Sequence, residues 1–104
     1  MKVERIIIFH SRYYGPQIFY NNNDEKNKEI ALKLQTDLNQ ALKTKREVKK
    51  IPSSTYMYSK LNVPGVLIEC GFLSNSYERN LLKKKDYQKR FAKIVAESIK
   101  DLKF

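Results

Sequence analysis

The chain of 104 residues has room for one small domain with a single modest core. Hydrophobic residues make up 41% of it and charged residues 31%, a balance that is typical of a globular chain and argues against disorder. No apolar run approaches the roughly 20 residues needed to span a bilayer, and the N-terminus lacks the pattern of a signal peptide. The single cysteine excludes an internal disulfide framework.

The charge balance is strongly basic. Lys and Arg total 21 against 11 acidic residues, a formal net charge of +10. Such a surface attracts polyanions, namely nucleic acid, anionic lipid or an acidic cell-wall polymer, although lysine-rich faces also serve solubility alone. The dense basic runs, 43–50 and 83–90, fall at predicted helix ends, where cations are common. No nucleic-acid-binding motif accompanies them, and we therefore expect no nucleic-acid partner.

The first half of the chain predicts two strands and a helix. Ile6–Phe9 is an apolar run that predicts a strand, and "QIFY" after the Gly15-Pro16 turn predicts a second one. From Asp24 the apolar period changes to four, which predicts an amphipathic helix ending near Lys43.

The second half predicts a buried strand followed by two helices. Residues 46–65 have a weaker pattern, with a short strand expected around Tyr56–Tyr58. The run Val66–Cys70 predicts a buried strand. Asn75 followed three residues later by Glu78 indicates a helix N-terminus, and four-spaced apolar residues predict a last helix over Asp86–Leu102. This order indicates an α/β domain whose sheet is covered on both faces.

Glu69 is the strongest candidate for chemistry, because it stands inside the most apolar run. A carboxylate near the end of a buried strand lies where α/β sheets build their sites. Partial burial should raise its pKa toward a value that is useful in proton transfer. The alternatives are that Glu69 faces outward from an edge strand or pairs with a lysine. Gly71, just after it, permits close passage of the chain.

His10 and Cys70 are weaker candidates. His10 is the single histidine and closes a predicted strand, so it is either a metal ligand or a structural residue; a catalytic zinc usually takes three protein ligands. Cys70 alternates to the side opposite Glu69, which favours a small buried apolar residue over a nucleophile. Five tyrosines either line a groove or simply pack at strand ends: Tyr13, Tyr14, Tyr20, Tyr56 and Tyr58.

The segment "PGVLIECGFLSNSYERNLLKKKDYQKRFAKIVAESI" closely resembles the C-terminal part of zinc-dependent N-acetylmuramoyl-L-alanine amidases. The likeness is carried by an apolar strand with a glutamate, then Gly-Phe, then Ser-Asn opening a helix. The preceding "YYGPQIFYNNNDEKNKEIALKLQTDLNQAL" is similar to that family's strand-and-helix unit, so the resemblance covers about Ser11 to Leu102. Within the family, the chain most resembles the spore-cortex, germination-associated branch.

The resemblance implies a twisted, mainly parallel sheet flanked by helices and an enzyme of the cell envelope or its exterior. Its substrate would be peptidoglycan, cut at the amide between the muramoyl lactyl group and L-alanine. In this family two histidines and a glutamate hold one zinc ion, which polarises the attacking water. A second glutamate, matched here by Glu69, takes the proton of the water and passes it to the leaving amine.

The chain departs from the family at the metal. The segment carrying the family's first histidine and its metal-binding glutamate has no counterpart in the sequence. Two alignments remain open for the later histidine: His10 is that ligand with a shortened loop, or an ungapped count back from Gly15 puts the position near Glu4. We therefore expect residues 1–104 to form a single, incomplete amidase-like domain that neither holds zinc nor hydrolyses substrate alone. It would need the missing N-terminal half or an activating partner protein.

A noncatalytic module is the alternative. The basic surface would then bind anionic cell-wall polymer or a partner protein without any hydrolysis.

Overall fold

A computed structural model describes residues 5–9, 14–22, 24–52, 65–72 and 74–102, with the backbone alone described for 5–9. His10, Glu4 and the strand predicted around Tyr56–Tyr58 lie outside these ranges. The strands are β1 (Arg5–Phe9), β2 (Gln17–Tyr20), β3 (Lys49–Lys50) and β4 (Val66–Phe72). The helices are α1 (Glu25–Leu42), α2 (Ser76–Leu82) and α3 (Lys85–Lys100).

These strands form one sheet in the order β1-β4-β2-β3. β1 and β4 are parallel, as are β2 and β3, whereas β2 and β4 are antiparallel. The predicted α/β fold is thus confirmed, and two of these three pairings are parallel. The sheet is nevertheless mixed, because its two inner strands, β4 and β2, are antiparallel.

The first helix begins and ends where the sequence predicts. Asp24 caps its start, with its side-chain oxygen accepting a hydrogen bond from the backbone N–H of Lys26 at 2.9 Å. Lys43 ends it in the left-handed conformation, at a φ of 56°, and its N–H donates to the Asn39 carbonyl oxygen. The buried Gln35 of this helix accepts from the N–H of Ile18 at 2.8 Å and donates to the Pro16 carbonyl at 3.0 Å, which fixes β2 against α1.

The core lies between one face of the sheet and helices α1 and α3. Alternate residues of β2 and β4 enter it, together with the four-spaced apolar residues of the helices: Ile18, Tyr20, Val66, Ile68, Cys70, Ile30, Leu34, Leu38, Phe91 and Val95. The opposite face of β4 is also shielded from solvent, since Leu67 is 6% exposed and Glu69 9% exposed.

The last two helices follow β4 directly. Asn75 caps α2 as predicted, its Oδ1 atom accepting from the Glu78 N–H at 3.0 Å. The predicted final helix is confirmed as α3. Within the described ranges, no helix is both long enough and apolar enough to cross a membrane.

Candidate active site

Glu69 lies at the middle of the central strand. Its Cα pairs with Ile7 of β1 on one side and with Gln17 of β2 on the other. It points away from the core that its neighbours Ile68 and Cys70 enter, and it is nevertheless almost fully buried. The predicted buried strand is confirmed, and the alternative of an edge strand is wrong. The predicted position near the strand end is also wrong, because β4 continues to Phe72 and leaves Glu69 at its middle.

Two competing effects set the pKa of Glu69. Burial raises it, because a carboxylate loses its hydration, while the positive charges of Arg46 and Lys49 oppose the increase; the net direction is upward. No described Lys or Arg nitrogen lies within ion-pair distance of this carboxylate. Among the described residues the alternative of a direct lysine pair is therefore wrong, and the carboxyl group of Glu69 is buried without an ion-pair partner.

Gln17 and Arg46 form the polar surroundings of that carboxylate. Arg46 donates through Nη2 to Gln17 Oε1 at 2.5 Å, and Gln17 Nε2 donates to the Glu47 carbonyl oxygen at 2.5 Å. The Arg46 guanidinium also lies 5.1 Å from the centre of the Phe72 ring, a cation–π distance. The segment after α1 therefore brings a fixed positive charge close to Glu69.

Glu78 is the residue that sequence reasoning missed. It was predicted only as part of a helix-capping pattern, yet it is completely buried. Its two carboxylate oxygens accept from the Gly15 N–H at 3.1 and 2.9 Å, and Oε1 also accepts from the Phe72 N–H at 2.8 Å. Glu78 therefore ties the approach to β2 to the end of β4, the two strands whose pairing holds Glu69. Its spacing from Asn75 could reveal the helix start but not these bonds, because Gly15 is 63 residues away.

Burial raises the pKa of Glu78, whereas the hydrogen bonds from Phe72 and Gly15 and the charge of Arg46 oppose the increase. The pKa values of the two buried carboxyl groups, Glu69 and Glu78, are thus both raised, but the two groups differ in their surroundings. Glu78 accepts from two backbone N–H groups and thereby joins the ends of two strands. No hydrogen-bond donor to Glu69 is found among the described residues.

Both glycines beside Glu78 are required there. A Cβ on Gly71 would lie 2.7 Å from Glu78 Cδ, so the space that the glycine leaves is filled by this side chain and not by the passing chain that was predicted. Gly15 has a φ of +101°, and a Cβ there would lie 3.0 Å from Thr44 Cβ. Gly71 therefore leaves room for the Glu78 carboxylate, whereas Gly15 is required by its backbone conformation and by the close approach of Thr44.

Cys70 belongs to the core, as predicted. Burial raises the pKa of its thiol to about 12, so at neutral pH it is a neutral side chain and no nucleophile.

The zinc implied by the family resemblance does not fit the described residues. They contain no group of three or more His, Cys, Asp and Glu side chains placed to hold a metal ion. His10 and Glu4, the two alternative ligand positions, lie outside the described ranges.

The sequence of these elements matches a family model described as N-acetylmuramoyl-L-alanine amidase over residues 9–101. The chain belongs to the N-acetylmuramoyl-L-alanine amidase family. It is similar to the germination-specific N-acetylmuramoyl-L-alanine amidase of Bacillus subtilis strain 168, with 36% identity over 89 residues. That match covers 85% of this chain and 37% of the relative.

Solved amidase structures share the fold. The CwlD amidase of Clostridioides difficile, solved in complex with the GerS lipoprotein, matches with a TM-score of 0.80 and 35% identity, over 91% of this chain and 50% of CwlD. The catalytic domain of CwlV, an amidase from Bacillus (Paenibacillus) polymyxa, matches with a TM-score of 0.72 and 24% identity over 90% of this chain and 52% of that domain, which shows the fold alone. The chain therefore spans about half the length, or less, of the amidases that it matches.

Proposed function

We propose that this protein contributes the Glu69-bearing part of a peptidoglycan amidase. The reaction is hydrolysis of the amide between the lactyl group of N-acetylmuramic acid and L-alanine. One observation carries the proposal: in a member of this amidase family, a buried carboxylate with a raised pKa stands at the centre of the sheet. A carboxyl group of this kind exchanges protons near neutral pH more readily than an exposed one.

In the proposed reaction Glu69 moves one proton. The oxygen of a water molecule bonds to the lactyl carbonyl carbon while the Glu69 carboxylate accepts the proton of that water. The bond from carbon to nitrogen then breaks, and Glu69 donates the proton to the departing nitrogen of L-alanine. The products are a free amine on the peptide and a lactyl carboxylic acid on the glycan, which loses the second proton of the water to solvent and becomes a carboxylate. The nearby positive charge of Arg46 limits how far the Glu69 pKa rises, which keeps a population of the carboxylate available as the base.

The metal ligands form a second part of the proposal. The sequence contains a single histidine, whereas the family resemblance implies two histidine ligands and a glutamate for one zinc ion. We propose that the remaining ligands come from chain beyond these residues or from a partner protein. The greater length of the relatives supports the first source, and the complex of CwlD with a lipoprotein supports the second. The proposed place of action is the cell envelope, where peptidoglycan lies.

The test supplies the missing part. The N-terminal region of the Bacillus subtilis relative that lies outside the matched segment is fused to this chain, and release of peptides from purified peptidoglycan is measured with zinc present. We expect hydrolysis by the fusion, none by either part alone, and a loss of at least about a hundredfold with Glu69→Gln, the usual size of a general acid–base contribution. Glu29→Gln, an exposed carboxylate on α1, is the matched control and should retain activity.

A fusion that keeps full activity with Glu69→Gln would refute the role of Glu69. If the fusion is folded and holds zinc but hydrolyses nothing, the noncatalytic alternative gains support. The net charge of +10 favours that alternative, and steep loss of wall-polymer binding with added salt would be its signature.

A further inference from the structure

A cleft of about 350 Å³ lies outside the site built around Glu69. Three tyrosines line it, Tyr14, Tyr77 and Tyr87, along with Leu81 and the basic residues Lys43 and Arg90. We call it the tyrosine cleft. It is formed where the end of α1 meets α2 and α3, and its volume is within the range of small-ligand sites.

The aromatic lining is unusually accessible. Tyr77 is 64% exposed and Tyr14 is 37% exposed, whereas Phe72 and Phe91 are each about 95% buried. The Tyr14 and Tyr77 rings have centroids 6.1 Å apart and are inclined by 40°, so both present ring surface to the cleft. The ring surface that Tyr14 and Tyr77 leave exposed, side by side, suits a ligand with flat apolar faces.

The charged side chains that line the cleft are basic, namely Lys43 and Arg90, and its lining includes no Asp or Glu. The buried carboxylate of Glu78 lies near Tyr14 and Tyr87 but does not line the cleft. Among the described residues, neither cation has a carboxylate within 4 Å. Arg90 is nonetheless held in place, since Nη2 donates to the Ala41 carbonyl oxygen at 2.8 Å. The cleft therefore offers two cations to an anionic ligand.

We propose that the tyrosine cleft binds the glycan strand of peptidoglycan through muramoyl residues whose lactyl carboxylate is free. The C–H faces of pyranose rings pack on tyrosine rings, and a lactyl carboxylate pairs with Lys43 or Arg90. This inference rests on the proposed function, because hydrolysis of the amide leaves that carboxylate on the glycan. The protein would thus bind a glycan strand through muramoyl residues from which the peptide has already been removed.

The position of the tyrosine cleft would allow one glycan strand to reach both the cleft and Glu69. Tyr14 immediately precedes Gly15, which is bonded to Glu78 at the end of β4. Gln17, the pairing partner of Glu69, follows Tyr14 by three residues, and because the chain turns at Gly15 with a φ of +101°, their separation is less than the about 10 Å of an extended chain. A polymer of linked sugars can span such a distance.

The experiment measures binding to the 104-residue chain by isothermal titration calorimetry. The probes are peptide-free glycan strands with free lactyl carboxylates, chitin oligomers as the uncharged sugar, and polyglutamate as the anion without sugar. We expect the glycan strands to bind at least about tenfold more tightly than either other probe, since each lacks one half of the recognition. Tyr77→Ala and Arg90→Gln should each weaken glycan binding about fivefold to tenfold.

Two controls match these variants. Leu32→Ala removes an exposed apolar side chain on α1, and Lys89→Gln removes an exposed charge beside Arg90; neither residue lines the cleft, and both variants should bind like the parent. Equal binding of polyglutamate, or equal loss in Lys89→Gln and Arg90→Gln, would overturn the proposal, as would full binding by Tyr77→Ala. The binding test does not depend on hydrolysis, so an inactive fusion would not contradict glycan binding by the cleft. Conversely, an active fusion would not show that the cleft binds glycan.

Discussion

The carboxyl group of Glu78 occupies the space that a side chain at residue 71 would need, with 2.7 Å between Glu78 Cδ and the Cβ position of Gly71. The glycine in the central strand and the buried acid in the following helix are thus one packing unit. The same acid accepts from the Gly15 and Phe72 amides, so it joins the residue before β2 to the end of β4.

Gly71→Ala should destabilise the fold. The added methyl group overlaps the Glu78 carboxyl carbon, and overpacking of this kind costs about 1–3 kcal/mol in the free energy of unfolding. Urea denaturation followed by circular dichroism measures the loss. Combining Gly71→Ala with Glu78→Ala should cost less than the sum of the two single changes, because the methyl group then has room. Strict additivity would contradict the packing relationship.

Glu78→Ala alone should cost about 3 kcal/mol, since it leaves two buried backbone N–H groups without acceptors. Hydrogen exchange should show faster exchange at the Gly15 and Phe72 amides. Glu29→Ala, on the exposed face of α1, is the control and should change stability by less than about 0.5 kcal/mol. Equal effects of the two substitutions would mean that the hydrogen bonds of Glu78 contribute nothing to stability.

Glu69→Gln should change how stability depends on pH. The pKa of Glu69 is raised by burial in the folded chain, so the folded state binds this proton more tightly than the unfolded state. Its contribution is fully present below the ordinary carboxyl pKa and is lost as pH rises through the raised value. The Glu69→Gln variant has no titrating group at residue 69 and therefore lacks this pH-dependent contribution to stability. Relative to the parent, it should therefore become more stable as pH rises from about 4 toward 7.

The measurement is the free energy of unfolding of both proteins at several pH values. Taking the difference between them removes the contribution of the other carboxyl groups, including Glu78. A difference that stays constant with pH would show that Glu69 titrates alike in the folded and unfolded chains.

Cys70 should be unreactive in the native protein. Since burial raises its thiol pKa to about 12, the thiolate fraction at neutral pH falls on the order of a thousandfold below that of an exposed cysteine. A chromogenic disulfide reagent should label it slowly in buffer and rapidly in denaturant. Rapid labelling of the folded chain would restore the nucleophile interpretation.

Local patterns predicted the elements well, because each helix and strand shows its period within its own residues. The four-spaced apolar residues marked α1 and α3, and the continuous apolar run marked β4 together with its unusual glutamate. Strand direction was harder, since the antiparallel pairing of Gln17 with Glu69 depends on a contact across 52 residues. β3 has two exposed lysines and no apolar period, so nothing in its own sequence distinguishes it from a loop.

Side-chain roles that depend on distant partners were the least predictable. The bonds of Glu78 to Gly15 could not be inferred from the capping pattern around Asn75. Of the five tyrosines considered for a groove, Tyr14 lines the tyrosine cleft, but Tyr20 is buried in the core, which confirms packing there. Tyr13, Tyr56 and Tyr58 lie outside the described residues. The roles of Glu69 in catalysis and of His10 at a metal stay predictions.

The central place of β4 has a consequence for how the chain acquires its structure. β1 pairs with β4 across 62 residues, from Arg5 to Leu67, and β2 pairs with the same strand. On a ribosome, β1 would leave the exit tunnel long before β4 is made. Both β1 and β2 would therefore remain unpaired with β4 until it is synthesised. Pairings over such separations fold slowly, since the entropy of closing a long loop is lost before the contacts form. We therefore expect the sheet to form only after the last third of these residues has been synthesised, with the pairing of β4 as the rate-limiting step.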